Sequence, residues 1–293
     1  PDFVLMTYWT PFMAPCFGTS ARIARGNGHT KVLCQIDNVE PHEHHLTDKP
    51  FNRYYLHSVD GFVYMSEQVH SELRAYSDAP ALFSPHPLFE NFGERVERSE
   101  ACVRLGLDPA NRYVLFFGLI RDYKGLDLLL DAWAQLRRAG RTEGRRLIVA
   151  GEFYTAREPY LNRIADNGLQ DEVLLHDRFI PDDDVKYYFS AADFVVQPYK
   201  TATQSGVTQI AYQFCVPMVV TKVGGLAEIV PDGRVGYVCE PTPEGVAGAI
   251  ERMYEGDTLQ RFRENCVEER RRFSWEEMCS RITELYGLVA SGK

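Results

Sequence analysis

Two spacings of apolar residues run along this chain. From Asn111 onward, short apolar runs are separated by amphipathic stretches. Tyr113–Gly118, Arg146–Gly151, Glu172–Leu175, Asp193–Gln197 and Met218–Thr221 read as strands buried on both faces. Leu126, Leu129, Leu130 and Trp133 recur at helical spacing, as do Val185, Tyr188, Phe189 and Ala192. This β-α-β-α order predicts a parallel sheet with helices on both faces. Sheets of that kind bind ligands at the carboxyl ends of their strands.

Before Asn111 the alternation is looser. Phe3–Met6, Lys31–Ile36 and Gly61–Met65 are expected strands, and Phe12–Arg25 and Glu67–Tyr76 expected helices. They make up part of a doubly wound domain. The chain opens directly in a strand, so this first domain is expected to be incomplete. Ser84-Pro85-His86-Pro87, followed by Phe89–Gly93, reads as a hinge. Near the far end, Ser274 is a good N-cap for a last helix, with Glu277 three residues on. Met278, Ile282, Leu285 and Val289 give that helix one apolar face.

Length and composition narrow the class. The 293 residues leave room for two modest domains, and 45% apolar with 25% charged residues is ordinary for a soluble globular protein. No apolar run approaches the roughly 20 residues of a membrane span. No basic region precedes the apolar Phe3–Met6, so a signal peptide is not expected. A net charge of −9 argues against a nucleic-acid partner, which needs a basic footprint. Seven scattered cysteines without a CxxC pair suggest reduced thiols and a cytoplasmic setting.

Three glycine turns follow expected strands. Gly118–Leu126 carries Arg121 and Lys124 between a strand and a helix. A helix N-terminus favours an anion, Arg grips phosphate oxygens in pairs, and Lys acts as a point charge. Gln204-Ser205-Gly206-Val207 opens a helix whose Val207, Ile210, Ala211 and Phe214 form one buried face. There Ser205 is placed to cap and Gly206 to let backbone amides approach a ligand. Gly224-Gly225, with Glu228 close behind, makes the third turn. Singly, each is as well explained as a simple turn. Together they indicate a nucleotide cleft.

These residues resemble the family-4 glycosyltransferases, the glycosyl transferases group 1. The resemblance rests on Gly118…Lys124-Gly125, Ile180-Pro181…Val185…Tyr188…Ala192-Asp193, Pro217–Val220 and Gly224-Gly225-Leu226-Ala227-Glu228, and spans about residues 83–290. Asp37-Asn38-Val39-Glu40-Pro41-His42-Glu43 resembles a bacterial cleft-facing turn of the same family. One departure is large. Two glutamates, eight positions apart in many members, fall here on Ala202 and Ile210, and no Glu occurs between Glu172 and Glu228. Gln204 and Gln209 are the polar candidates nearby. The Thr203–Gly206 sequence TQSG resembles a subfamily variant of the loop.

The resemblance implies an α/β GT-B fold: two Rossmann-like, doubly wound domains facing across a cleft, the N-terminal one incomplete. It implies an acceptor-side domain over residues 1–85 and a donor-binding domain over 86–272. Residues 273–293 would form a helix crossing back to the first domain. The implied reaction moves a sugar from a nucleoside diphosphate to a hydroxyl acceptor, glycan or lipid-linked, with retention, as in polysaccharide biosynthesis. Arg121 and Lys124 would stabilise the leaving diphosphate, with Asp37 and His42 facing sugar and acceptor. Gly118, Glu152, Phe179, Ile180, Gln204–Val207, Gln209, Gly225 and Glu228 would hold the donor. No cofactor beyond the donor, and no metal, is implied.

Other constellations are weaker. His42, His44 and His45 with Glu43 and Asp48 lack metal-ligand spacing. No G-x-S-x-G motif suggests a hydrolase. Nothing in the sequence supports a peripheral membrane contact. The alternative reading is a non-catalytic nucleotide-sugar-binding module. A GT-B epimerase or phosphorylase is the rival enzyme, though no lysine is singled out for pyridoxal phosphate.

Overall fold

A computed structural model describes residues 1–40, 45–202 and 204–291. It divides into two compact units, one of Pro1–Pro87 with Arg272–Lys293, the other of Leu88–Arg271.

In the first unit β1 (Phe3–Tyr8), α1 (Ala14–Arg25), β2 (Lys31–Ile36), α2 (Asp48–Leu56), β3 (Gly61–Tyr64), α3 (Glu67–Arg74) and β4 (Ala81–Phe83) follow in turn. The strands pair in parallel in the order β1-β2-β3-β4. Alternate side chains go to opposite faces. Val32, Cys34 and Phe62 join Ala21, Tyr55 and Leu73 in one core cluster, while Leu33 and Val63 join another. The apolar pattern gives no sign of α2, whose sequence DKPFNRYYL is mostly polar. A buried asparagine fixes this helix. The Asn52 amide donates to the Val39 carbonyl at 2.8 Å, and its Oδ1 accepts from the Tyr8 hydroxyl.

The second unit contains α4 (Arg98–Leu105), β5 (Arg112–Phe117), α5 (Leu126–Arg138), β6 (Arg145–Ala150), α6 (Glu158–Asp166), β7 (Val173–His176) and α7 (Asp182–Ala191). It continues with β8 (Phe194–Gln197), α8 (Gly206–Gln213), β9 (Met218–Thr221), α9 (Leu226–Ile229), β10 (Gly236–Cys239), α10 (Pro243–Met253) and α11 (Thr258–Glu269). All strand pairs are parallel, in the order β10-β9-β8-β5-β6-β7. β8 and β9 are buried at every residue, as strands covered on both faces must be. Helix α8 departs from the single buried face expected of it, because Val207 through Tyr212 are all buried. The order of winding reverses between β5 and β8, which are neighbours in space but three strands apart in sequence.

The last helix, α12 (Trp275–Ser291), starts where the sequence places its cap. The Ser274 hydroxyl accepts the Glu277 amide at 3.1 Å. Met278 and Leu285 are buried against Leu33, Val63 and Met65, with Ile282, Tyr286 and Val289 packed alongside. The first sheet is therefore covered on this face by a segment far away in sequence. Truncating a fully buried leucine costs about 2–5 kcal/mol. Leu285→Ala is expected to lower the unfolding free energy of the first unit by that amount, and with it the urea midpoint, read by urea unfolding with a probe on Trp9. An unchanged midpoint would show that α12 adds nothing to this unit.

Candidate functional site

The reversal between β5 and β8 sets the site. Where neighbouring strands send their chains to opposite sides, a crevice opens beyond their carboxyl ends. Here a cavity of about 310 Å³ lies at that place, walled by Phe117, Gly118, Lys124, Tyr199 and the Gln204–Val207 turn. Phe89, Phe92, Tyr123 and Ile210 complete its lining. A wider hollow of about 680 Å³ lies in the first unit beside Lys49 and Arg53 of α2. No winding reversal occurs among the strands of that sheet, so the smaller cavity is the better candidate.

Main chain packs on main chain around this cavity. Gly125 has φ +69°, and a Cβ there would sit 1.9 Å from the Pro198 carbonyl oxygen. A Cβ on Gly151 would sit 2.1 Å from the Gly118 carbonyl oxygen. The Lys200 amide donates to the Tyr123 carbonyl at 2.7 Å, and the Ile120 amide to that of Glu152 at 2.8 Å. The turns after β5, β6 and β8 are thereby locked together. Gly118 itself, at φ +99°, leaves the floor open. A Cβ there would lie 3.2 Å from Lys124 Nζ and 3.5 Å from Val207 Cγ2.

Lys124 is the cation of the cavity. Its Nζ lies 5.8 Å from the centre of the Tyr199 ring, and no carboxylate pairs with it among the described residues. Burial, and then the charge of Arg121, pushes its pKa down to about 8. No carboxylate of the described residues lines the cavity. The N-terminus of α8 also opens here, without a side-chain cap. The first N–H groups of a helix have no acceptor within it, so they remain available to an anion. Aromatic rings, one ammonium and an uncapped helix start suit an anionic ligand with an apolar body.

The expected cap of α8 needs correction, and several expected site residues lie outside the lining. Ser205 does not cap α8; its hydroxyl pairs with that of Tyr199 at 3.2 Å. Arg121 is exposed and sits outside the lining, its guanidinium 5.3 Å from the Tyr154 ring. The helix that opens at the cavity is α8, whereas no residue of α5 lines it, and Asp127 near the α5 start pairs with Lys200 at 2.7 Å. Glu152 and Glu228 are exposed, Phe179 is 65% exposed and Ile180 is buried; none of them lines the cavity, nor does Gly225. Gln209 is buried behind it, and its Oε1 has no hydrogen-bond partner among the described residues.

Asp37 stands at the end of β2 in the first unit. Its carboxylate accepts from the Gln35 amide at 3.3 Å. Burial raises its pKa, and the Gln35 hydrogen bond and His86 oppose that shift. His42 lies outside the described residues, as do Glu43 and His44. Among the described residues no three His, Cys, Asp or Glu side chains cluster closely enough to hold a metal ion. No described helix is long and apolar enough to cross a membrane. Sequence reasoning missed Tyr199, Tyr123, Phe117, Phe89 and Phe92. Tyr199, two residues past the end of β8, could have been found, since aromatic residues just beyond a strand end are well placed to line its crevice.

Residues 111–256 match the family model described as glycosyl transferases group 1. The chain carries a group 1 glycosyltransferase domain. It is 31% identical over 245 residues to D-inositol 3-phosphate glycosyltransferase 2 of Catenulispora acidiphila, covering 78% of this chain and 56% of that protein. It is 27% identical over 236 residues to D-inositol 3-phosphate glycosyltransferase of Corynebacterium diphtheriae, covering 76% and 55%. The chain thus spans about half the length of such relatives. Among solved structures it is similar to sucrose-phosphate synthase from Thermosynechococcus elongatus, with a TM-score of 0.79 and 19% identity over 99% of this chain and 74% of that one. It is also similar to Anabaena HepE in complex with UDP, with a TM-score of 0.77 and 18% identity over 97% and 78%. The fold is α/β with two Rossmann-like parallel sheets, as in GT-B glycosyltransferases.

The Lys124 group gives the group 1 domain a pH signature. Below about 8 the ammonium is charged, and above that it loses its proton. Affinity for inorganic pyrophosphate is expected to be full at pH 6.5–7.5 and to fall as the pH rises past about 8. Calorimetric titrations from pH 6.5 to 9.5 check this, with Lys124→Gln expected to be weaker and to lack the fall past about pH 8. A parent protein with a flat profile over that range would remove Lys124 from the anion site.

Proposed function

We propose that this chain acts in a nucleotide-sugar-dependent glycosyltransferase, moving a hexosyl group from a nucleoside diphosphate to a hydroxyl acceptor. The observation that carries the reading is the cavity at the winding reversal, where Lys124 and the α8 N-terminus converge without a carboxylate. Departure of a diphosphate builds negative charge there, and preorganised donors stabilise it without reorganising. Family membership supports the reaction class. Relatives named for D-inositol 3-phosphate, and HepE solved with UDP-glucose, make uridine donors and polyol or sugar acceptors the first to test.

In this reading Gly118, Gln204, Gly206 and Val207 contact the diphosphate, and Lys124 neutralises it. Arg121 would reach the donor only by leaving Tyr154. Glu152, Phe179, Ile180, Gln209, Gly225 and Glu228 support the donor from around the cavity. Asp37 and His42 belong to the acceptor side. The ammonium and backbone amides supply the positive charge that a metal supplies elsewhere, so transfer is metal-independent. The anomeric configuration is retained, and the acceptor is a glycan or lipid-linked hydroxyl.

Transfer assayed over a panel of nucleotide sugars tests this directly. Turnover is expected to persist in excess chelator, and Lys124→Ala to reduce it about 100-fold or more. Product NMR would report the retained anomer. Tight donor binding with no transfer to any hydroxyl acceptor would replace this reading with that of a binding module. Activity lost in chelator and restored by Mg²⁺ would overturn the metal-independent part.

A further inference from the structure

The opposite end of the second sheet carries a different charge cluster. β5 begins at Arg112, β6 at Arg145, and Asp193 immediately precedes β8. A strand of six residues puts these starts about 20 Å from the carboxyl ends. Asp193 is buried, and its Oδ2 accepts the Tyr113 amide at 3.0 Å. Arg112 approaches its Oδ1 at 3.4 Å and Arg263 of α11 at 3.8 Å. Arg263 also donates to the Ala192 and Asp193 carbonyls at 3.3 Å. Arg95 and Arg98 act electrostatically on Arg263, and Arg145 acts on Tyr254. Two guanidinium groups therefore flank one buried carboxylate, and three more lie close enough to act on its neighbours, in a chain whose net charge is −9.

These donors are not all used. Arg145 Nη1, Arg263 Nε and the Tyr254 hydroxyl are buried and have no hydrogen-bond partner among the described residues. Burial, and then the charge of Arg95, pulls the Arg263 pKa down. The Arg145 guanidinium is held 4.0 Å from the centre of the Tyr254 ring. A cavity of about 240 Å³ opens here, with Arg112, Arg263, Tyr254, Gly256 and Gln260 in its wall. The N-terminus of α11 reaches the same wall and has no side-chain cap. Asp257 also lines the cavity, but it is exposed and pairs with Arg261 at 3.6 Å. Buried donors left unpaired are costly, and paired guanidinium groups fit phosphate oxygens.

We propose that this cavity is a second anion site, taking a phosphate-class dianion between Arg112 and Arg263. It is separate from the cavity at Lys124 and stands whether or not the transferase reading holds. Its volume admits a phosphate group or a small phosphomonoester, and it is below the usual range for larger ligands.

Thermal unfolding in zwitterionic buffer tests it. Sodium phosphate or glycerol 3-phosphate is titrated against sodium chloride of matched ionic strength. A ligand of the folded state alone raises the melting temperature with the logarithm of its concentration above Kd. Phosphate is expected to raise it at least about 2 °C above chloride. A larger shift with glycerol 3-phosphate would assign the phosphomonoester, and an equal or smaller one the free ion. Arg112→Gln is expected to weaken the apparent affinity about tenfold or more. Gln260→Glu, on the exposed start of α11, should do the same; because it also removes the Gln260 hydrogen bond to Glu264, its phosphate shift is read relative to its own melting temperature without phosphate. Lys124→Ala should leave the phosphate shift intact. A shift equal to that of chloride would overturn the proposal. So would one abolished by Lys124→Ala yet kept by Arg112→Gln and Gln260→Glu.

Discussion

Main-chain contact between the turns behind β5, β6 and β8 is the constraint on which the candidate site depends. With Gly125 against Pro198 and Gly151 against Gly118, no side chain fits between these turns. The backbone therefore sets the position of the cavity wall, and a ligand meets amides already in place. Preorganisation of this kind lets dipoles act on developing charge without first having to turn. It also explains why the turns carry glycine where helix and strand propensity would choose almost anything else.

Pairing decides which cation can act. Lys200 lies only a few residues past β8, yet it is engaged with Asp127 at 2.7 Å. Arg121 lies outside the lining beside Tyr154, while Lys124 faces the Tyr199 ring and pairs with no carboxylate among the described residues. Burial of an ammonium without a counter-ion is costly, and the lowered pKa of Lys124 expresses that cost. An incoming anion relieves it. The rings in the wall, Phe117, Tyr123 and Tyr199 among them, lower the local dielectric and strengthen the attraction.

Topology separates the two units. The second sheet reverses its winding and so makes a crevice at its strand ends, whereas the first runs β1 to β4 without reversal. The first sheet instead gains its second cover from α12, which is contributed by the far end of the chain. Polar contacts matter as much as apolar ones there: Asn52 ties α2 to Val39 and Tyr8. Helix start and apolar stripe in α12 agree with each other, since Ser274 caps it and Met278, Ile282 and Leu285 face one sheet.

By itself the sequence determined the parallel α/β architecture, because doubly covered strands such as FVVQ and MVVT cannot avoid continuous apolar runs. It also determined the glycine turns and Lys124, since these residue types are forced by backbone approach and by charge. β4 and β10 escaped it because three or four residues are too few to show a period, and α2 because its sequence is mostly polar and its burial comes from distant partners. Tertiary structure alone decided that Arg121 lies outside the lining that holds Lys124, that Ser205 pairs with Tyr199 rather than capping α8, and that Tyr199 and Phe89 line the cavity. Those outcomes depend on which side of a turn each side chain leaves and on what packs against it. Periodicity sees only neighbours along the chain, whereas the wall of a crevice is built from turns that meet after three strands have intervened.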